Sequence, residues 1–285
     1  MKMINKNKFF LFCLLILFGG VLFAGEFKKD LGLQVSFLDV GQGDSIYVKA
    51  FGKTDMLIDG GKNGDLLLQN LSATMDSFDN KIDVLVITHP DEDHSGGLVS
   101  VVREYDIGAI FISGNISDNQ NYNQILKIAE IEKIPTFKAE AGTNIYLDKD
   151  KKVVFEILSP SGNVSFIESN NTSISGRLVY GESEFMLTGD AYVEVEEKII
   201  KENKNINSDI LKLGHHGSKT SSSLNFLKAV DPEIVIISAS VNNSYGHPHK
   251  DVMDRVEALN IKSLATYDLG IITFLSDGEK IYLDN

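Results

Sequence analysis

Residues 33–59 carry the period-two pattern of half-buried strands, broken by two turns. Leu33–Leu38, Gly41-Gln42-Gly43, Ser45–Lys49, Gly52-Lys53 and Met56 to Asp59-Gly60-Gly61 follow in order. That pattern predicts a three-stranded meander opening the folded part of the chain. Apolar positions switch to helical spacing near Leu66–Phe78. Ile82–Thr88 is then a continuous apolar run, suited to a strand covered on both faces and ending at His89. The same order returns later. Ile174–Tyr180, a turn at Gly181-Glu182 and Phe185–Leu187 lead to Thr188-Gly189-Asp190, followed by a helix near Tyr192–Lys201 and a strand over Asp209–Leu213 that ends at His215-His216. In each half a hairpin delivers an Asp beside Gly, a helix crosses over, and the next strand opens into a His-bearing loop. The separations are similar, 30 residues from Asp59 to His89 and 25 from Asp190 to His215.

Two such halves imply an α/β fold of two sheets packed face to face and covered outside by helices, a four-layer αββα sandwich with its functional loops along one edge. Asp106–Ser159 supplies a strand (Ala109–Ser113), a helix (Tyr122–Lys133) and a hairpin between the halves. The C-terminal part adds a helix from Ser222, a strand Ile234–Ser238, a helix over Pro248–Leu259 and a last hairpin closing near Leu283. No Pro-, Gly- or Ser-rich linker divides residues 30–285, which read as one domain, and the polar stretch Asn115–Asn123 reads as a mobile rim.

The first 25 residues follow another pattern. Lys2, Lys6 and Lys8 precede an uncharged stretch of sixteen residues, Phe9 to Ala24. As a helix it would span ~24 Å, short of the ~30 Å hydrocarbon core. An export signal is expected, either cut or kept as an N-terminal membrane anchor, because Leu22 stands where a peptidase prefers a small residue. The remainder is then extracellular or held facing outside the cytoplasm, touching the membrane only through this segment. With 43% hydrophobic residues and five prolines, the body is a globule and not a disordered or multi-span chain. Twenty-seven Lys and Arg against 40 Asp and Glu give a net charge of −13, or −16 without residues 1–25, which hold three lysines and no acid. A basic face wide enough to hold duplex nucleic acid by charge alone is not expected, so an anionic substrate needs a local positive centre. The single cysteine, Cys13, lies in the apolar stretch, which leaves the folded part without a disulfide partner, a Cys-rich zinc finger or a thiol nucleophile.

The histidines supply candidates for that centre. All six occupy three short loops: His89 and His94 in Thr88-His89-Pro90-Asp91-Glu92-Asp93-His94-Ser95-Gly96-Gly97, then His215-His216, then His247 and His249. His89, Asp91, Asp93 and His94 place four potential ligands within six residues at the end of a buried strand. Imidazoles and carboxylates without thiolate suit a divalent zinc, manganese or iron ion and argue against a structural zinc knot. Asp190 repeats the position of Asp59 and could bridge two ions.

These segments resemble the metallo-β-lactamase superfamily, and within it the hydrolase domain of ComEC-type DNA-uptake competence proteins. The resemblance runs from roughly Leu33 to Tyr282. It rests on Phe37-Leu38-Asp39-Val40-Gly41-Gln42-Gly43-Asp44, Leu57-Ile58-Asp59-Gly60-Gly61, the His89–Gly97 loop, Leu187-Thr188-Gly189-Asp190, Leu213-Gly214-His215-His216-Gly217-Ser218 and Tyr245-Gly246-His247-Pro248-His249. It implies a hydrolase domain over residues 30–285 holding one or two divalent ions. His89 would serve the first, Asp93 and His94 the second, Asp190 both, with His215 or His216 completing the set. Asp91 stands where the superfamily's usual motif has its middle His, and Asn170-Asn171 where many members place a further His, so the first site is expected to be loose, oxygen-rich or empty.

Around these ligands, Asp93 is expected to orient the attacking water and His247 to bind phosphate or protonate the leaving group. His249 reads as a capping or surface group. Asn170, Asn171, Ser218 and Lys219 are candidates to face the substrate, although helix capping explains the Ser218–Ser221 run equally well. Asp39, Asp44 and Asp59 are expected to hydrogen-bond the ligand loops from behind. A divalent ion lowers the pKa of a bound water from ~15.7 to about 7, which provides hydroxide at neutral pH. The function expected is an exported metal-dependent phosphodiesterase or nuclease acting on DNA. The alternatives are another metallo-hydrolysis (a phosphocholine ester, lactone or thioester) and a catalytically silent metal-binding module. Lack of the Cys ligand found in many β-lactamases disfavours antibiotic hydrolysis.

Overall fold

The computed structural model describes residues 31–203 and 205–284, so the signal or anchor expected over residues 1–25, with Cys13, lies outside the described residues. The expected meander is β1 (Leu33–Phe37), β2 (Ile46–Ala50) and β3 (Thr54–Ile58). Alternation sends Leu33, Val35, Phe37, Ile46, Val48, Met56 and Ile58 into a core between two sheets, and Tyr47 and Leu57 to the opposite face. The chain crosses through α1 (Gly64–Thr74), whose cap Asn63 accepts from Leu66 N, into β4 (Lys81–Ile87). Next come α2 (Glu92–Ser95), α3 (Leu98–Glu104), β5 (Asp106–Ile112), α4 (Gln120–Glu132) and β6 (Thr136–Lys138).

The second half runs β7 (Asn144–Tyr146), β8 (Val153–Ser159), β9 (Ser175–Tyr180), β10 (Ser183–Leu187), α5 (Val193–Glu202) and β11 (Ile210–Lys212). It continues with α6 (Leu224–Val230), β12 (Ile234–Ile237), α7 (Lys250–Ala258), β13 (Lys262–Ala265) and α8 (Thr266–Leu269). The last hairpin, β14 (Ile272–Ser276) and β15 (Ile281–Asp284), returns to the first sheet. Strand order is β15-β14-β1-β2-β3-β4-β5-β6 in one sheet and β13-β12-β11-β10-β9-β8-β7 in the other. One apolar layer lies between the sheets, a second under α1, α3 and α4, and a third under α5, α6 and α7. This is the αββα sandwich that the repeated pattern predicts.

Because β3 runs parallel to β4, and β10 to β11, the loops after these strands leave from the same end of each pair. They carry Asp59, His89, Asp190 and His215-His216. Asn115–Asn123 is not a free rim: Asn115 is buried with Nδ2 donating to Ile167 O at 2.8 Å, and Asn119 caps α4 by accepting from Tyr122 N at 3.0 Å. Among the described residues no helix is long and apolar enough to cross a membrane.

Candidate metal centre

Asp59 leaves β3 in the left-handed region (φ 57°), a conformation that costs a non-glycine residue energy and that the surroundings must hold. Its carboxylate accepts from Thr88 N (2.8 Å) and Thr88 Oγ1 (2.6 Å) and meets His94 Nδ1 at 2.7 Å. The other nitrogen of that ring, Nε2, lies 3.2 Å from Asp190 Oδ2. The two carboxylates related by the sequence repeat thus stand on opposite sides of one imidazole, Asp59 behind and Asp190 in front. His216 is held the same way. Its Nδ1 is 2.9 Å from Ser238 O and 3.2 Å from Asp44 Oδ1, while Nε2 is 3.3 Å from Asp190 Oδ2 and 3.4 Å from Asp93 Oδ2. Since the Thr88 hydroxyl donates to Asp59, it accepts from His89 Nδ1 (3.0 Å), which leaves His89 Nε2 with its lone pair.

The residues fit a divalent cation on one observation in particular. Nε2 of His89, His94 and His216 are buried without a well-formed hydrogen bond, the last two facing Asp190 Oδ2 at 3.2 and 3.3 Å, and a buried polar atom left unsatisfied ordinarily costs about 1–3 kcal/mol. Here they converge. His89, His94 and Asp190 bring ligand atoms within 4.8 Å of one another, and so do Asp93, His94 and His216. Carboxylate, carbonyl and hydroxyl partners behind each ring fix its free nitrogen toward the common point.

Electrostatics follow the same geometry. Burial, with His94 nearby, pushes His89 down to about 4, so the ring is neutral. Burial opposes charge on His94 and His216 too, but Asp190 with Asp59 raises the first, and Asp190 with Asp44 the second, well above the ordinary histidine value. Burial alone would raise the Asp190 carboxyl; His216 and His94 hold it well below the usual range. Asp93 is likewise held down against burial, by His216 and His94.

The other expected residues hold different places around this point. His215, adjacent to His216, belongs to none of the convergent groups: its Nε2 is 3.8 Å from Asp190 Oδ2, and its ring stacks on Tyr192. Asp91 Oδ2 is 3.8 Å from His89 Nε2, but its Oδ1 accepts from Ser169 Oγ at 2.5 Å and it joins no convergent group either. Asn170 donates to Tyr192 Oη at 2.9 Å, and its buried Oδ1, like that of Asn171, has no partner. Ser218 is buried and accepts from Thr220 Oγ1 at 3.0 Å, while Lys219 is exposed. None of Asn170, Asn171, Ser218 and Lys219 lines the cleft described below. Asp39 turns its carboxylate onto Gly41 N in its own loop (3.2 Å), whereas Asp44 and Asp59 do stand behind His216 and His94. His247 lines the cleft beside the His215 and His216 rings. Burial and the neighbouring His215 and His216 push it down to about 4. His249 precedes α7 and accepts from Lys219 N at 3.2 Å.

Sequence reasoning missed Lys212. It shares the inter-sheet face of β11 with Ile210, its side chain is 0% exposed, and its ammonium pairs with Asp44 while lying 3.5 Å from Gly189 O and 3.9 Å from Asp190 Oδ1. The available signal was a charge at an inward position between Leu211 and Leu213. Glu196 on α5 was missed as well. Buried, it accepts from Ser222 N (2.5 Å) and Ser223 N (2.9 Å), and Arg255 on α7 donates to Ser222 O (2.8 Å), so both helices pin the loop that presents His216.

A cleft of about 140 Å³ reaches the centre, lined by Asp91, Asp93, Asp190, His215, His216 and His247, with Gln42 and Tyr245 at its edge, so Asp91 and His215 face it although they join no convergent group. A larger hollow of about 800 Å³ beside α3 and α4 contains none of these residues.

Fold and centre together describe a metallo-hydrolase framework. Residues 38–240 match the Metallo-beta-lactamase superfamily, and the chain belongs to it. Its relatives are competence proteins of the ComEC family. It is 28% identical over 257 residues to ComE operon protein 3 of Bacillus subtilis, covering 85% of this chain and 33% of that protein. It is 31% identical over 261 residues to Competence protein ComA of Neisseria gonorrhoeae, covering 91% and 35%. Recombination protein 2 of Haemophilus influenzae is 29% identical over 226 residues, covering 78% and 26%. The chain therefore spans about a third or less of the length of these relatives. Among solved structures, a variant of CmlA beta-hydroxylase superposes with a TM-score of 0.54 at 13% identity, over 95% of this chain and 60% of that one. The metallo-beta-lactamase fold protein YhfI from Bacillus subtilis gives 0.52 at 11% identity, over 81% and 95%. At these identities the likeness is one of fold.

Proposed function

We propose that this chain is an exported metal-dependent phosphodiesterase that cleaves DNA. The observation that carries the reading is the gathering of the buried Nε2 atoms of His89, His94 and His216 around Asp190, with the last two facing its Oδ2, beside a cleft that Asp93, Asp190 and His216 line. Asp93, His94, His216 and Asp190 would hold the principal divalent ion, zinc or manganese, with His89 beside it. When bound, that ion supplies positive charge for a phosphoryl oxygen and acidifies a water near neutral pH. The chain's own residues do the rest. Asp93, whose side chain is 30% exposed at the cleft, stays ionised and orients the attacking water by accepting its hydrogen bond. His247 presents a neutral ring that donates one N–H to a substrate oxygen. Competence and recombination, in the names of the relatives, favour DNA over other esters. Export rests on Lys2, Lys6, Lys8 and the Phe9–Ala24 stretch.

The test is metal content together with substrate range. Purified chain is expected to bind one or two zinc or manganese ions and to cleave single-stranded DNA and bis-p-nitrophenyl phosphate in preference to nitrocefin or a lactone. His216→Ala and Asp93→Ala should each lower the rate by more than about 100-fold, and His216→Ala should also lose the ion, whereas His215→Ala should keep it. A chain that binds no metal overturns the reading, and one that hydrolyses the lactone but neither phosphodiester moves it to another hydrolysis.

A further inference from the structure

Beyond the centre itself, we propose that the groove leading away from it past Tyr245 is a nucleobase subsite, in which the Tyr245 ring stacks on the base next to the scissile phosphodiester and the Gln42 amide hydrogen-bonds that base. The inference rests on the phosphodiesterase reading and adds what part of the substrate this chain recognises. Three observations carry it. First, a hollow of about 360 Å³ shares Gln42, Asp93 and Tyr245 with the metal cleft, so the two adjoin at these side chains. Its size falls in the range of small-ligand sites, ~300–1,000 Å³.

Second, Tyr245 is 64% exposed, yet one face of its ring is stacked on His247 at 5.7 Å and 22°. The loop beneath is fixed, because Asn243 Nδ2 donates to Ser240 O (2.7 Å) and His247 O (2.6 Å) and its Oδ1 accepts from His247 N (2.8 Å). An exposed aromatic held still at the mouth of a polar groove is a preformed stacking platform.

Third, the groove lacks spare positive charge. Its one cationic lining residue, Lys62, is paired with Glu92 at 3.0 Å, and the remaining walls are amides, hydroxyls and Asp93. Such walls suit the uncharged base and sugar, which leaves the phosphate to the metal cleft. Gln42 Oε1 accepts from Ser240 N at 3.4 Å, while its Nε2 is buried with no partner, a donor that a base acceptor would satisfy.

The test compares two short single-stranded oligonucleotides that differ only in carrying a normal base or an abasic residue next to the cleaved bond, with manganese-loaded protein. Stacking of one base contributes ~1–3 kcal/mol, so kcat/KM should favour the base-bearing strand by about 5- to 150-fold. Tyr245→Ala should bring that ratio close to one, and Tyr245→Phe should retain it. Equal cleavage of both strands by wild type, or a ratio that Tyr245→Ala leaves intact, overturns the subsite while the phosphodiesterase reading stands. Failure to cleave either strand or bis-p-nitrophenyl phosphate overturns both.

Discussion

At the scale of single residues, Lys212 links the two carboxylates that matter most to the centre. Asp44 holds the back of His216, Asp190 faces the front of both His94 and His216, and the buried ammonium lies between these acids. Without it, two buried carboxylates and their neighbours Asp59 and Asp93 would repel one another in a medium that screens poorly. Lys212→Met is expected to cost about 3 kcal/mol of unfolding free energy, because buried Asp44 loses its ammonium and keeps only the His216 ring as a partner. It should also weaken metal binding by about 10- to 100-fold, the usual effect of losing a group that orients a ligand. The double variant Lys212→Met with Asp44→Asn separates the two effects. Most of the stability should return, since no buried charge is orphaned, while metal affinity stays low because His216 has lost its carboxylate partner. Urea unfolding and competition against a chromophoric chelator measure the two quantities, and wild-type affinity in the single variant would show that Lys212 serves packing alone.

Among elements, the turn between β1 and β2 acts as a clamp on the ligand loop. Asp44 N donates to Asp93 O, Gly61 N to Asp44 O and Gly60 N to His94 O, which ties the turns after β1 and β3 to α2. Gly43 has φ +125°, and a Cβ there would lie 2.0 Å from the carbonyl oxygen of Asp93, whereas a Cβ on Gly41 meets nothing within 4 Å. Gly41→Ala should therefore cost only the left-handed backbone penalty, about 1–2 kcal/mol, and keep the metal. Gly43→Ala must move the Asp93–His94 backbone, so it should destabilise more and lose bound metal, as thermal unfolding and metal analysis would record. The two-sheet plan was legible because β1–β4 and β10 split their side chains between two covered faces, so apolar period and burial agree. β6 and β13 were not, since Thr136–Lys138 is wholly exposed at a sheet edge and Lys262–Ala265 has no apolar run. Within the site, the histidine loops were legible because a rare residue type clusters there. Choosing His216 over His215 was not, because both occupy left-handed backbone (φ 55° and 50°) and only Ser238 O and Asp44, far off in the chain, single one out. Lys212 and Glu196 escaped for the same reason: their partners are brought by packing, and a lone charge in an apolar run carries no local sign of what it meets.

Over the whole molecule, β3 separates two charged clusters, with Asp59 of the metal centre at one end and Asp55 at the other. Strand rise puts their Cα atoms about 13 Å apart, so their titrations can be told apart by substitution. Asp55 is buried, with Lys49 Nζ 3.8 Å from its Oδ1, and that same ammonium is 2.8 Å from Asp76 and 3.4 Å from Asp79. Burial raises the Asp55 carboxyl to about 6, against 3.8 in an exposed chain, with Lys49 offsetting part of the rise. An acid whose folded value lies above its unfolded value binds its proton more tightly when folded. Its contribution is complete below about pH 4 and is lost as pH rises through the folded value. Two units correspond to about 3 kcal/mol, so Asp55 should erode stability by that order between pH 4 and pH 7. Asp55→Asn keeps the shape and removes the titration. Denaturant unfolding of metal-free wild type and variant at both pH values cancels the histidines and carboxylates of the centre, which titrate alike in the two proteins. The variant should gain about 2–3 kcal/mol relative to wild type on going from pH 4 to pH 7, and a difference that does not change with pH would mean that Lys49 keeps Asp55 ionised throughout.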